Sequence, residues 1–115
     1  MILVRITMNV LPDKHKEVMQ TLLSMIETAE QEAGCLSYEG YSDLEDDFAF
    51  NLIGEWATRE DLNRHIRSER FSILLGTKSL LTQPLGITIH TVSHSEGEDV
   101  VRTLRAKRAL QTGRR

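Results

Sequence analysis

No apolar run in this chain exceeds a few residues, and MILV at the start is representative. A membrane-spanning helix needs about 20 predominantly apolar residues, so none is expected. No basic region followed by an apolar stretch and a small-residue cleavage site precedes the fold, which argues against a secretory leader. The expectation is a cytoplasmic protein. Cysteine occurs once, at Cys35, which excludes an intramolecular disulfide and, with no second thiol, gives no support to a metal cluster. Cys35 is expected to pack as a small hydrophobe. Aromatic residues make up only 5% of the chain, so Trp56, the single tryptophan, is the largest side chain available to a core or a pocket.

With 115 residues the chain has room for one core and no second domain. Its net charge of −3 hides an asymmetry. Residues 1 to 99 hold 8 basic and 17 acidic groups, whereas residues 100 to 115 hold 6 basic groups and no acidic one. An acidic body does not suit phosphate binding, so nucleic acid is excluded as a partner of the domain.

Residues 2 to 10 alternate, with Ile2, Val4, Ile6, Met8 and Val10 on one face, and predict a strand. Pro12 and Asp13 open a helix in which Val18, Met19, Leu22, Leu23, Ile26, Ala29 and Ala33 recur at helical spacing, closed by Gly34 as a left-handed cap. Residues 35 to 42 and 48 to 56 read as two strands joined by the polar turn DLEDD. On the second of these, Phe48, Phe50, Leu52, Gly54 and Trp56 share a face opposite Ala49, Asn51, Ile53 and Glu55. Thr58 with Asp61 three residues on resembles a capping box, after which Leu62, His65 and Ile66 fall on one helix face. Ser68 caps a further short helix carrying Phe71, Leu74, Leu75 and Leu81, and Pro84 stops it. LGITIHTVS supplies a last strand.

The order β-α-β-β-α-β predicts an α+β class, a ferredoxin-like sandwich whose helices cover one face of an antiparallel sheet. Apolar groups fall in both registers of the first, third and fourth strands, so the bare face is expected to form an apolar patch. Homodimerisation through the sheet faces would cover it.

Two stretches carry a family resemblance. EAGCLSYEGYSD, with Gly34, Cys35, Leu36 and Tyr38, and EWATREDLNRHIRSERF, with Glu55, Trp56, Leu62, His65 and Phe71, are similar to motifs of the antibiotic biosynthesis monooxygenase domain, in the dimeric α+β barrel superfamily. The resemblance spans residues 1 to about 94. It implies a homodimer whose two sheets form a barrel, with a pocket in each subunit between sheet and helices. Members known as enzymes oxygenate quinols or polyketide anthrones without metal or flavin, so no cofactor is expected. Relatives degrade haem or isomerise a small phosphorylated sugar, and a shared fold does not choose among these. Two positions depart from such relatives: Leu52 stands where polyketide-oxygenating members pair an Asn with the Trp, and Leu75 where haem-degrading members place a His ligand.

The expected activity is a cofactor-independent monooxygenase of a quinol-like or other small aromatic ligand, with an isomerase or a non-catalytic binding dimer as alternatives. His65 is the candidate base, since an imidazole ordinarily titrates near neutrality and could deprotonate a phenol. Trp56 is the candidate pocket wall. Both also fit a structural role, Trp56 as core and His65 as a bridge to nearby backbone. Arg5 could bind an anionic or enol oxygen, or pair with Glu55 across the sheet. Asn51, Tyr38 and Phe71 complete the substrate-binding candidates. His90 and His94 share a strand face but sit too far apart to hold one metal, so no metal site is expected.

Residues 95 to 115 form a basic extension past the domain of residues 1 to 94. It is drawn as a helix with Val100, Val101 and Leu104 on a narrow apolar side, either mobile or loosely docked, or crossing to a partner subunit where its basic groups would meet Asp43, Glu45, Asp46 and Asp47.

Overall fold

Strand β1 (Ile2–Asn9) is one of two inner strands of the sheet. The computed structural model describes residues 1 to 113, with side chains as far as Arg108. The elements that follow are α1 (His15–Ala29), β2 (Cys35–Ser42), β3 (Ala49–Trp56), α2 (Arg59–Ile66), α3 (Glu69–Leu75), β4 (Gly86–Thr91) and α4 (Glu98–Gly113), with short 3-10 turns at 12–14 and 76–80. The sheet order is β2-β3-β1-β4 with every pairing antiparallel. This is the α+β ferredoxin-like sandwich that the alternation of strands and helices predicts. No described helix is long and apolar enough to cross a membrane.

Register sorts the side chains. Ile2 pairs with Trp56, Val4 with Gly54, Ile6 with Leu52 and Met8 with Phe50, so the large apolar groups of β1 and β3 share the face that the helices cover. All of these residues are buried. From α1 the buried residues are Val18, Leu22, Met25 and Ala29, the i, i+4, i+7, i+11 stripe of a helix lying on a sheet. Met19 and Leu23, which recur at helical spacing with that set in the sequence, are exposed on the flank of the stripe.

Two expectations are corrected. The bare sheet face is not a continuous apolar patch: Leu3, Ala49 and Ile53 are interspersed with Arg5, Thr7, Asn9, Asn51 and Glu55. On β4, Ile87 and Ile89 pair with Ile6 and Val4 and so lie on the helix-covered face, leaving Thr88 and His90 outside. The second correction concerns α1, which ends at Ala29 rather than running to Ala33. A looser turn follows, in which Gln31 N–H donates to Thr28 O at 3.2 Å and Glu32 N–H to Ala29 O at 3.0 Å. Gly34 does adopt the left-handed region, at φ +80°. A Cβ there would lie 2.1 Å from Asp61 Cγ, so glycine is required for space as well as for φ.

The extension folds as α4, and its side chains from Val101 to Arg108 are exposed. Leu104 is 59% exposed.

Candidate functional site

The site begins with a helix start. Thr58 Oγ1 accepts from Asp61 N–H at 3.2 Å and donates to Asp61 Oδ2 at 2.8 Å. That reciprocal cap fixes where α2 begins, and hence which of its faces meets the sheet. Asp61's carboxyl is held below the usual carboxylate range, chiefly by the Thr58 hydroxyl and also by Arg64. Leu62 and His65, one turn apart, are then both buried against β3. Ser68 accepts from Phe71 N–H at 3.3 Å, starts α3 and turns Phe71 inward.

Around His65 three aromatic rings close. Its centroid lies 4.7 Å from that of Trp56 at an interplanar angle of 30°, 5.4 Å from Tyr38 and 5.5 Å from Phe71, the last two edge-on. Tyr38 and Trp56 contact each other edge-on at 6.4 Å. Gly54 makes the arrangement possible, because it is the register partner of Tyr38 and its missing side chain leaves space between the Tyr38 and Trp56 rings.

These rings, with Val4, Ile6, Leu52 and Gly54, line a cavity of about 10 Å³, room for roughly one water-sized molecule. Among the described residues, Tyr38 Oη, Trp56 Nε1 and His65 Nε2 are buried with no hydrogen-bond partner. Three unsatisfied polar atoms in so apolar a lining are costly unless a ligand meets them, and such groups are uncommon in stable cores. Burial holds the Tyr38 phenol well above its usual range, reinforced by the charge of Glu32 and by Cys35, so it stays protonated.

The other imidazole nitrogen is engaged. His65 Nδ1 lies 2.7 Å from Glu32 Oε2, and a carboxylate can only accept, so Nδ1 carries the hydrogen. In the neutral ring Nε2 is then a bare lone pair on the cavity. His65 is therefore bonded to a side chain rather than to the backbone. Cys35, half-buried, has its thiol pushed up by burial first and then by Glu32 and Glu30.

Of the residues singled out in the sequence, the structure brings together His65, Trp56, Tyr38 and Phe71. Arg5 and Asn51 lie elsewhere: Arg5 pairs with Ile53 and Thr88, and Asn51 with Thr7 and Tyr41, all on the bare face with the sheet between them and the cavity. Glu55 accepts from the Ser37 hydroxyl at 2.5 Å, and no ion pair joins it to Arg5. Glu32 was not singled out. It lies 33 residues from His65, and no local spacing links them once the first helix is drawn past it. Among the described residues no group of three or more His, Cys, Asp or Glu is arranged to hold a metal ion.

Fold and cavity define a ferredoxin-like α+β domain with an aromatic-lined histidine site between sheet and helices. Residues 1–72 match the antibiotic biosynthesis monooxygenase family, more than half of the chain, and the protein belongs to that family. Among solved structures, a conserved protein from Methanosarcina mazei Go1 is similar at 32% identity, over 77% of this chain and 89% of its own, with a TM-score of 0.72. A Deinococcus radiodurans protein provisionally named an antibiotic biosynthesis monooxygenase superposes with a TM-score of 0.79 at 20% identity, over 84% of this chain and 97% of its own. Rv0793 from Mycobacterium tuberculosis gives 0.77 at 23% identity, over 84% and 98%. At those last two identities the likeness speaks for the fold. No curated protein matches the chain.

Proposed function

We propose that the protein is a cofactor-independent monooxygenase of a quinol-like or other small aromatic substrate, with His65 as its base. One observation carries the proposal: a buried His65 Nε2 without a protein partner, facing an aromatic cavity while Nδ1 is held by Glu32. Nε2 takes the phenolic proton, and the electron-rich anion reacts with dioxygen at a ring carbon that bears a hydrogen, forming a hydroperoxide. Removal of that C–H proton and cleavage of the O–O bond leave a carbonyl, with the second oxygen atom and both protons departing as water. Trp56 and Phe71 wall the ring, and Tyr38 Oη and Trp56 Nε1–H are donors for its oxygens. A cavity of about 10 Å³ admits no aromatic ring, so entry requires α2 and α3 to draw away from the sheet.

The domain that would do this is residues 1 to 94, with 95 to 115 as an extension. It would work as a cytoplasmic homodimer joined through the bare sheet faces, where Leu3, Ala49 and Ile53 supply the apolar contacts.

Oxygen uptake with a panel of quinols and anthrones tests the proposal. Turnover by the wild type and its loss in a folded His65→Ala variant are expected; equal turnover in both removes His65 from the chemistry. One observation favours a second reading, an isomerase of a small oxygenated metabolite. A phenol kept protonated beside an imidazole base, 5.4 Å between centroids, is an acid–base pair that moves protons without oxygen. Anaerobic turnover would select it, and saturable binding without product would mark a non-catalytic dimer.

A further inference from the structure

Glu32 belongs to no helix or strand, yet it reaches two environments. Its Oε2 accepts from His65 Nδ1–H at 2.7 Å, and its side chain, 26% exposed against 2% for His65, also lines an open groove of about 960 Å³ between α1 and α3. The imidazole is thus placed between a closed apolar cavity and a carboxylate that keeps contact with solvent.

We infer that Glu32 is the positioning residue of this site, fixing the tautomer of His65 and stabilising the imidazolium formed when Nε2 takes a proton. The inference rests on the function proposed above for its kinetic part only. Free imidazole exchanges its hydrogen between the two nitrogens; an acceptor on Nδ1 removes that freedom and aims a bare Nε2 at the cavity. Among the described residues no other group around the ring does this: Tyr38, Trp56 and Phe71 contact its faces and edges, and the backbone carbonyl of His65 accepts from Ser68. The other charged groups lining the groove are Glu17 on α1 and Glu69 and Arg70 on α3. Among the described residues only the carboxylate of Glu32 meets the imidazole.

Two variants separate the two roles. Glu32→Gln keeps the shape and an accepting oxygen but removes the charge, while Glu32→Ala removes both. Long-range proton–nitrogen NMR of the His65 ring reports the tautomer at a fixed pH, with or without a substrate. The expected results are an Nδ1-protonated ring in the wild type and in Glu32→Gln, and loss of that preference in Glu32→Ala. With a turned-over quinol, kcat should fall at least about tenfold in Glu32→Gln at unchanged KM. A wild-type ring protonated on Nε2, or an unaltered tautomer in Glu32→Ala, overturns the positioning role. A wild-type kcat in Glu32→Gln overturns the charge stabilisation. Should no quinol turn over in the wild type, the proposed activity fails while the tautomer measurement still decides the role of Glu32.

Discussion

Gly54→Ala tests the packing of the site with a single methyl group. A Cβ at that position would lie 3.0 and 3.2 Å from Tyr38 Cδ2 and Cε2 and 3.1 Å from Trp56 Nε1. Non-bonded heavy atoms settle at about 3.5 to 4.0 Å, so both rings must retreat by roughly half an ångström. Trp56 has little room, because the His65 ring stacks on it at 4.7 Å, and a cavity of about 10 Å³ is too small to take the displaced group. Overpacking of this kind costs about 1–3 kcal/mol, offset by the roughly 0.5–1 kcal/mol that alanine gains over glycine inside a strand. The net expectation, from the middle of those ranges, is a loss of about 1 kcal/mol, a Tm lower by roughly 4–8 °C for a domain of this size. Gly76→Ala is the control, since a Cβ there meets nothing within 4 Å and its φ is −68°; its Tm should hold or rise. Calorimetry on both variants suffices. A Tm for Gly54→Ala at or above the wild-type value would refute the tight packing inferred for the rings.

Further tests address the other parts of the molecule. Ile53→Glu places a carboxylate on the bare face between Arg5 and Glu39, its cross-strand neighbours; the fold should persist and light scattering should report a monomer, whereas an unchanged dimer would refute association through this face. Raising the pH should leave Tyr38 protonated after Tyr41, whose exposed phenol is itself pushed up chiefly by its hydrogen bond to Glu39. Because the folded state holds the Tyr38 proton more tightly than the unfolded chain does, this group's stabilisation is full below about pH 10 and is lost as pH rises beyond it; absorbance at tyrosinate wavelengths should show the buried phenol ionising only together with unfolding. Deleting residues 97 to 115 should move Tm by no more than about 2 °C, in keeping with the roughly 0.5 kcal/mol typical of surface changes, since the α4 side chains from Val101 to Arg108 are exposed. A fall beyond about 5 °C would mean that α4 docks on the domain.

The strands were legible because each carries its own period. Phe50, Leu52, Gly54 and Trp56 alternate with Asn51, Ile53 and Glu55, and pairing with β1 then fixes which set the helices cover. The caps were legible for a similar reason: Thr58 with Asp61 and Ser68 with Phe71 are contacts within three residues. What sequence could not resolve was non-local or depended on an edge. The α1 periodicity continues through Ala33, but the chain must turn earlier to bring Glu32 to His65, a contact no local spacing announces. Apolar content in both registers suggested a greasy outer face, yet Ile87 and Ile89 owe their side of the sheet to pairing with Ile6 and Val4. Arg5 and Asn51 were attractive as polar groups on strands beside the site, and strand parity puts them behind the sheet.

The division of labour within the fold follows from that parity. The sheet contributes Trp56 and Tyr38 from neighbouring strands, and because Tyr38 sits opposite Gly54, the rings meet over a gap in the side-chain layer rather than over a packed one. The helices contribute His65 and Phe71 from two short elements, each started by its own cap, joined at Arg67 and Ser68. A site divided in this way can open by displacement of α2 and α3 without disturbing a sheet whose ladders hold independently of them. Opening would also carry His65 away from Glu32, which stays on the α1 side with the turn before β2. The base would then leave Glu32 while the site is open and be held again when the helices close, so closure and the positioning of His65 become one event.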